Sequence, residues 1–261
     1  MYATMPLEPS GEPRGSMLSL DRQNEYRERY RQIHPGWQTS GQVFESLVRR
    51  YIVPKTPPAT IEMSVLDVGC GEGGVIELFA GQLRLPVGID PSITSLSGHR
   101  DRSVHLCAAR LEALPFRDDE FDLVVSSWVL EHLLRPEIAF AEIARVLKRN
   151  GHFVFITPNA HSIIAAINRL VPRLMQSRLV RSLYGREEKD TFPTVYEANS
   201  VQTLRRLAGP AGLHQVQVEL VSDPTYLAFN DLFFYLSVLV ERFTPERNFV
   251  HIVGDYVRVQ D

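Results

Sequence analysis

Short apolar runs alternate with helix-like segments along most of this chain. The runs are rich in Val, Ile, Leu and Phe, which is the pattern of strands buried on both faces of a sheet. Strands that alternate with helices predict a parallel sheet with helices packed on both faces. The predicted strands are Ser64–Val68, Val87–Asp90, Val104–Ala108, Phe121–Ser127, His152–Thr157, His214–Val221 and Phe249–Val259.

Helical spacing and capping residues mark the segments between these strands. One apolar stripe, Phe140, Ile143, Ala144 and Leu147, follows Pro136 and is interpreted as core. The predicted helical segments are Met17–Tyr51, Val75–Leu83, Ser92–Leu96, Pro136–Asn150 and Ser200–Ala208.

Composition divides the chain into three parts. Residues 1–16 are rich in Pro, Gly and Ser and are predicted to be disordered. Residues 17–58 are predicted to be an N-terminal helical cap that ends in a linker, Pro54–Pro58. Residues 59–261 form the main domain, in which the regular pattern is interrupted by an insertion at 161–197.

Overall composition is that of an ordinary globular protein, with 261 residues, 44% hydrophobic and 23% charged. A net charge of −3 gives no reason to expect a nucleic-acid partner. The N-terminus lacks the apolar segment of a signal peptide, and no uninterrupted apolar span could cross a bilayer. We therefore expect a cytoplasmic protein. Cys70 and Cys107 are expected to be reduced core thiols, with neither a disulfide nor a metal site.

The first predicted strand runs directly into a glycine-rich turn, Gly69-Cys70-Gly71-Glu72-Gly73-Gly74. Glycines let the backbone pass close to a bound molecule, and the free N–H groups of a following helix would face it. Gly69, Gly71 and Gly74 also fit the G-x-G-x-x-G dinucleotide fingerprint, so two interpretations compete.

Acidic residues around the turn separate the two interpretations. Asp67 lies two residues before the first glycine, and Glu72 lies inside the turn. Two unit charges about 4 Å apart interact by about 4 kcal/mol at an effective dielectric constant near 20. Such carboxylates would repel a pyrophosphate and attract a ligand that carries an ammonium and a sulfonium. The turn therefore favours S-adenosylmethionine.

The sequence resembles the class I S-adenosylmethionine-dependent methyltransferases, specifically their small-molecule, methyltransferase type 11-like group. The resemblance extends from about Val65 to Asn159, beginning with V-L-D-V-G-C-G-E-G. The further motifs, in order, are Gly88-Ile89-Asp90, Leu114-Pro115-Phe116, Phe121-Asp122-Leu123-Val124, Leu130-Glu131-His132 and Arg145-Val146-Leu147-Lys148. The expected fold class is α/β: a Rossmann-like, seven-stranded, mostly parallel sheet with helices on both faces, N-terminal helices and a helical lid insertion at 161–197.

The resemblance implies an S-adenosylmethionine site at the carboxyl edge of the sheet, where ligands of open α/β sheets bind. Asp67 would organise the glycine loop and the methionine ammonium, and Asp90 would bind the ribose, although Asp90 could instead cap the following helix. Arg110 replaces the usual acidic residue near the adenine, where it could stack on the ring beside Leu111. The predicted cofactor-binding residues are Asp67, Gly69, Cys70, Gly71, Gly73, Asp90, Pro91, Arg110, Leu111, Ser127 and Trp128.

Two histidines are candidate catalytic bases. His132 and His161 both follow the carboxyl ends of predicted strands, and a histidine near neutral pKa can take a proton from an acceptor hydroxyl. In the resembling group, the Glu-His pair usually supports the cofactor pocket, so a structural role for His132 stays open. The candidate substrate-binding residues are His161, Asp190, Tyr196, Tyr226 and Phe229.

The insertion suggests the kind of acceptor. An aliphatic stripe from Ile163 to Leu174 is accompanied by Arg169, Arg173, Arg178, Arg181 and Arg186. Such a segment can lie on an anionic membrane or grip a phosphate. The hypothesis is a small, hydrophobic or lipid-linked acceptor, with O-methylation slightly favoured and a peripheral membrane contact through 163–186. The alternative is that the stripe packs on the core while the arginines face water.

Two other functions stay open from the sequence. A dinucleotide-dependent oxidoreductase would use the same glycine turn, although Asp67 and Glu72 argue against it. A non-catalytic binding protein of the same fold is suggested only by the departure at Arg110.

Overall fold

The computed structural model describes residues 20–52, 61–170 and 194–259, which are built around a seven-stranded sheet. The strands are β1 Ile61–Val68, β2 Leu83–Asp90, β3 His105–Ala108, β4 Phe121–Ser127, β5 Leu147–Pro158, β6 Leu213–Val221 and β7 His251–Arg258. Their order in the sheet is β3-β2-β1-β4-β5-β7-β6. The strands from β1 to β5 pair in parallel, whereas β7 is antiparallel to β5 and β6.

Helices cover both faces of this sheet. They are α1 Leu20–Ile33, α2 Ser40–Tyr51, α3 Ile93–Ser97, α4 Pro136–Val146, α5 Ile163–Leu170, α6 Val201–Ala208 and α7 Asp231–Phe243. Phe140 of α4 and Leu204 of α6 belong to the core on one face. Phe44 and Leu47 of α2 belong to the core on the other face, together with Ile76. The expected Rossmann-like, mostly parallel seven-stranded fold is confirmed.

Three predicted helices differ from the observed ones. The segment Val75–Leu83 forms two short 3-10 helices, Val75–Leu78 and Ala80–Gln82, because Leu83 already belongs to β2 and pairs with Ile61. Met17–Tyr51 contains two helices separated by a turn in which Gly36 has a φ of +90°. The helix that begins at Pro136 ends at Val146, four residues early, because Leu147 enters β5 and pairs with Phe121.

Several predictions lie outside the described residues: disorder at 1–16, the Pro54–Pro58 linker, Asp190, and most of the lid insertion. The arginine side chains from Arg169 to Arg186 are among them, so the membrane contact through 163–186 stays a hypothesis. α5 starts at Ile163, which is exposed, while Ile164 and Ala165 are buried. In the ranges that the structure describes, no helix has the length and hydropathy needed to cross a membrane.

A polar cluster of Tyr51, His152 and Asp255 connects α2 to β5 and β7 of the sheet. The Tyr51 hydroxyl donates to Asp255 Oδ2 at 2.5 Å, and His152 Nδ1 lies 2.9 Å from Asp255 Oδ1. The rings of Tyr51 and His152 stack with centroids 4.0 Å apart. Because Asp255 is only 1% exposed, its carboxylate needs the hydrogen bonds to both partners to stabilise its negative charge.

Tyr51→Phe should lower the free energy of unfolding by about 1–2 kcal/mol, because it removes one hydrogen bond to a buried carboxylate. Urea denaturation monitored by circular dichroism measures the change. Tyr235→Phe is the matched control, since it removes a hydroxyl from a residue that is 60% exposed. Equal stability of the two variants would contradict the role assigned to Tyr51.

Candidate active site

The glycine turn after β1 is fixed against β2 by its backbone. The N–H groups of Gly69 and Cys70 both donate to Ile89 O, at 2.8 and 3.0 Å. Gly69 has a φ of +73°, and a Cβ atom there would lie 2.2 Å from a Val129 methyl carbon. A side chain is therefore excluded at Gly69 by both conformation and space.

Asp90 ends β2 and holds the rim of the turn. Its Oδ2 accepts the Gly71 N–H at 3.1 Å, and its Oδ1 accepts the Ser92 N–H at 2.8 Å. The residue that caps α3 is Ser92, whose Oγ accepts the Ser95 N–H at 3.2 Å. The alternative role of Asp90 as the helix cap is therefore wrong, and its carboxylate lies at the wall of a cavity.

This cavity, of about 400 Å³, lies between the glycine turn, the end of β2 and the segments 109–112 and 128–133. Its size is in the range of small-molecule sites. The predicted site residues that line it are Gly69, Gly71, Asp90, Pro91, Arg110, Leu111, Trp128 and His132.

Four predicted cofactor residues do not line the cavity in the described part of the chain: Asp67, Cys70, Gly73 and Ser127. The Cys70 side chain packs against β2, since its Sγ would lie 2.8 Å from a Cβ atom at Gly88. Burial raises the pKa of this thiol, so it stays protonated. Cys70 therefore contributes to the turn through its backbone.

Asp67 lies directly beneath the turn and is 2% exposed. Its Oδ2 would be 2.6 Å from a Cβ atom at Gly74, and it has no hydrogen-bond partner among the described residues. Burial raises the pKa of Asp67 to about 7. The hydrogen bond from the Ile76 N–H acts to lower this pKa, whereas the negative charges of Glu77 and Asp90 raise it further. A buried oxygen without a partner fits a site that receives a cation or a donor.

The segment 110–112 supplies a carboxylate that the sequence interpretation missed. Arg110 Nε lies 3.8 Å from Glu112 Oε2, and the Arg110 side chain is 71% exposed. Glu112 also lines the cavity, two residues after the position where an acidic residue was expected. Among the described residues, the cavity wall therefore carries Glu72, Asp90 and Glu112 against one guanidinium, that of Arg110.

The two candidate bases are in different places. His132 lines the 400 Å³ cavity, with its Nε2 4.0 Å from Glu131 Oε1. Burial raises the pKa of Glu131 to about 7, and Thr157 Oγ1 donates to it at 3.2 Å. His161 lines a second cavity, of about 490 Å³, between the start of α5 and the end of α7.

The remaining substrate candidates are spread along the same edge. The N–H groups of Val195 and Tyr196 donate to Glu131 O at 2.8 and 3.3 Å, which ties the end of the insertion to the residue that precedes His132. Phe229 packs edge-on against Phe233 with ring centroids 5.8 Å apart. Tyr226 lies edge-on to His251, a buried residue that no sequence pattern singled out.

The sheet order, the antiparallel last strand and the acidic glycine turn are those expected from the resemblance to class I S-adenosylmethionine-dependent methyltransferases. Residues 66–155 match the family model described as Methyltransferase domain. This match over residues 66–155 confirms the expected resemblance to this class, whose cofactor is S-adenosylmethionine.

Individual relatives match a limited part of the chain. A Mycobacterium tuberculosis protein named "Probable S-adenosylmethionine-dependent methyltransferase" is 34% identical over 41% of this chain and 40% of its own length. A malonyl-[acyl-carrier protein] O-methyltransferase of Herminiimonas arsenicoxydans is 31% identical over 49% of this chain and 53% of its own. The chain thus spans about half or less of these two relatives.

The fold likeness extends further than the sequence likeness. The crystal structure of an S-adenosylmethionine-dependent methyltransferase from Mesorhizobium loti superposes with a TM-score of 0.56 and 20% identity. The superposition covers 82% of this chain and 98% of that one. At this identity, the likeness shows a shared fold and leaves the acceptor to be argued from the site.

Proposed function

We propose that this chain binds S-adenosylmethionine in the 400 Å³ cavity and transfers its methyl group to a small, apolar acceptor. The observation that carries the proposal is the charge of the cavity wall, where Glu72, Asp90 and Glu112 outnumber Arg110 beside the glycine turn. Such a wall attracts a positively charged nucleoside and repels the pyrophosphate of a dinucleotide.

Each part of the cofactor has candidate partners on this wall. Asp90 would accept the ribose hydroxyls, as acidic residues at the end of the second strand do in nucleotide sites. Leu111 and Glu112 would border the adenine, and Glu112 offers the acceptor oxygen that Arg110 lacks. Asp67 would act from beneath the turn through its charge, and Trp128 would border the methyl end.

Held by Asp90 and the glycine turn, S-adenosylmethionine would supply an electrophilic methyl carbon to the lone pair of an acceptor, with its sulfur as the leaving atom that keeps the electron pair. The protein's contribution is to hold the acceptor in line and to exclude water, which can lower the barrier by about 7–11 kcal/mol at the limit. For a hydroxyl acceptor, we propose that the His132 imidazole takes the proton, because His132 lies in the cavity wall.

An apolar acceptor is supported by the surfaces beside the second cavity. Ile163, Ala166, Val240, Phe243 and Pro245 line that cavity, together with His161. α7 also exposes a row of large apolar side chains at helical spacing, Leu232, Leu236, Leu239 and Phe243. Oxygen as the methylated atom is favoured by the O-methyltransferase named among the relatives.

Calorimetry on the full chain tests the cofactor first. We expect saturable binding of S-adenosylmethionine and S-adenosylhomocysteine, and no binding of NAD or FAD at the same concentrations. Release of S-adenosylhomocysteine is then measured with alkylated phenols, with fatty acids and with short polar acids as the matched acceptor control.

Turnover restricted to the apolar acceptors supports the proposal. Binding of NAD in place of S-adenosylmethionine would overturn it in favour of an oxidoreductase. Cofactor binding with no turnover on any acceptor would overturn the catalytic part in favour of a binding protein.

A further inference from the structure

His251 lies at the same edge of the sheet as the cofactor cavity. It is the first residue of β7, and it pairs with Pro158 of β5 and Val221 of β6. Because β7 is antiparallel, its beginning falls beside the carboxyl ends of its neighbours. Trp128 directly follows β4, the neighbour of β5 on the opposite side. His251 and Trp128 therefore flank the end of β5.

Three neighbours hold the His251 side chain, which is 6% exposed. Its Nδ1 lies 2.9 Å from the Oγ of Ser40, the first residue of α2. Its ring meets the rings of Trp128 and Tyr226 edge-on, at centroid distances of 4.8 and 6.0 Å. Because Ser40 engages Nδ1, Nε2 is the nitrogen left for a ligand; within the described ranges it makes no hydrogen bond.

The His251 ring is neutral under physiological conditions. Burial is the main cause that lowers the pKa of His251 to about 4. The Asp223 carboxylate raises this pKa, and the Arg27 guanidinium lowers it further. A neutral imidazole offers one donor and one acceptor. It suits an uncharged polar group, whereas phosphate and carboxylate groups prefer a cationic partner.

Trp128 connects His251 to the cofactor cavity. It lines that cavity and has a φ of +60°, which is rare for a bulky residue. The backbone N–H of Trp128 donates to the backbone oxygen of Ile156 at 3.1 Å, and this bond holds the conformation. Backbone strain of this kind is concentrated at functional sites. The strained backbone directs one indole toward both the cavity and His251.

We propose that Trp128 and His251 form the acceptor subsite: an apolar ring packs against the indole, and its uncharged hydroxyl hydrogen-bonds to His251 Nε2. This assignment rests on the proposed methyltransferase function. His251 binds and orients the acceptor there, and it does not take the proton, because its pKa is too low for an efficient base.

Two isosteric probes test the subsite in the full chain saturated with S-adenosylhomocysteine. 4-Butylphenol carries the hydroxyl, and 4-butyltoluene replaces it with a methyl group. Affinities are measured by quenching of Trp128 fluorescence in a Trp37→Phe background, which leaves one of the two tryptophans. We expect the phenol to bind about tenfold more tightly than the toluene, and His251→Phe to abolish that preference.

Two further variants separate recognition from a structural role. His251→Gln keeps a polar group near the Nε2 position, and His251→Asn keeps one near Nδ1, where Ser40 binds. We expect the glutamine variant to keep most of the preference for the phenol and the asparagine variant to lose it. His214→Phe is the matched control: His214 is an exposed histidine that pairs with Val257 near the other end of β7, and its replacement should leave the preference unchanged.

The outcomes distinguish this proposal from the proposed function. Absence of S-adenosylhomocysteine binding to the wild type overturns the proposed function. Wild-type cofactor binding without a preference for the phenol, or without saturable binding of either probe, overturns the acceptor subsite alone. The subsite is also overturned if asparagine preserves the preference and glutamine does not.

Discussion

Asp67→Asn should stabilise the unliganded protein by about 1–3 kcal/mol at pH 8 and by less at pH 5. The carboxyl group is 2% exposed, and its Oδ2 has no hydrogen-bond partner within the described residues. Its ionised form is therefore costly in the folded protein, whereas in the unfolded chain it is hydrated. The asparagine side chain avoids the buried charge and keeps an oxygen for the Ile76 N–H.

The sign of the pH dependence follows from the pKa of Asp67, which is about 7 in the folded protein and 3.8 ordinarily. The folded state holds the proton more tightly, so this group's contribution is most favourable below pH 3.8 and is lost as the pH rises through 7. The difference between these two pKa values makes the ionised carboxylate cost about 4 kcal/mol in the folded protein. Asparagine removes this cost, but its buried amide lacks some hydrogen bonds and itself costs about 1–3 kcal/mol.

Urea denaturation of wild type and variant at pH 5 and pH 8 measures this effect. Asp255→Asn is the matched control, because Asp255 is equally buried but hydrogen-bonded to both Tyr51 and His152. It should destabilise the protein at both pH values. Equal stability of Asp67→Asn and wild type at pH 8 would show that the carboxylate is not strained.

The same substitution should weaken binding of S-adenosylmethionine by about tenfold at pH 8, because it removes a negative charge from beneath the turn. Wild-type affinity should rise between pH 6 and pH 8 more steeply than that of the variant, since the bound cation favours ionised Asp67. The ligand's own amino group titrates alike with both proteins and cancels in the comparison. Parallel pH profiles would disprove an interaction with Asp67.

Asp90→Ala should weaken binding of S-adenosylmethionine by about 30- to 150-fold, or about 2–3 kcal/mol. The substitution removes the carboxylate proposed to accept the ribose hydroxyls. It also releases the N–H groups of Gly71 and Ser92, which the Asp90 oxygens hold at 3.1 and 2.8 Å. Calorimetry on the wild type and the variant gives the ratio of the dissociation constants.

Two controls distinguish ribose binding from damage to the turn. Glu62→Gln also removes one negative charge, but from a side chain at the amino end of β1 that is 79% exposed, and it should leave the affinity unchanged. The 2′-deoxy analogue of S-adenosylhomocysteine should bind the wild type more weakly than the parent compound. Asp90→Ala should bind both alike; a preserved difference would place the ribose elsewhere.

Much of the fold followed from local patterns. The run Phe121–Ser127 is observed as predicted, because a central strand buried on both faces leaves an uninterrupted apolar signal. The helix capped by Ser200 begins at Val201 and ends at Ala208, since its start is decided by one hydroxyl and a backbone N–H three residues later. Asp90 was expected at the cofactor site because it ends a strand beside the glycine turn, and it lies in the cavity wall.

Longer-range effects account for the elements that differ. Val75–Leu83 was expected to be one helix, but β2 starts at Leu83 because it pairs along the whole of β1. Glu112 lies two residues after the motif position that predicts an acid, and only the tight turn from Arg110 to Ala113 brings its carboxylate to the cavity. Pairing and turn geometry shifted both features by a few residues.

The chain's sequence alone determined the class of fold, the glycine turn and the acidic residues Asp67 and Glu72 beside it, because these depend on neighbouring residues and on strand periodicity. Tertiary structure alone decided that Asp67 is buried with no partner for its Oδ2 among the described residues, and that His251 meets Trp128 and Ser40. The two His251 contacts join positions more than 100 residues apart through the antiparallel entry of β7 into the sheet, and no local pattern encodes that direction.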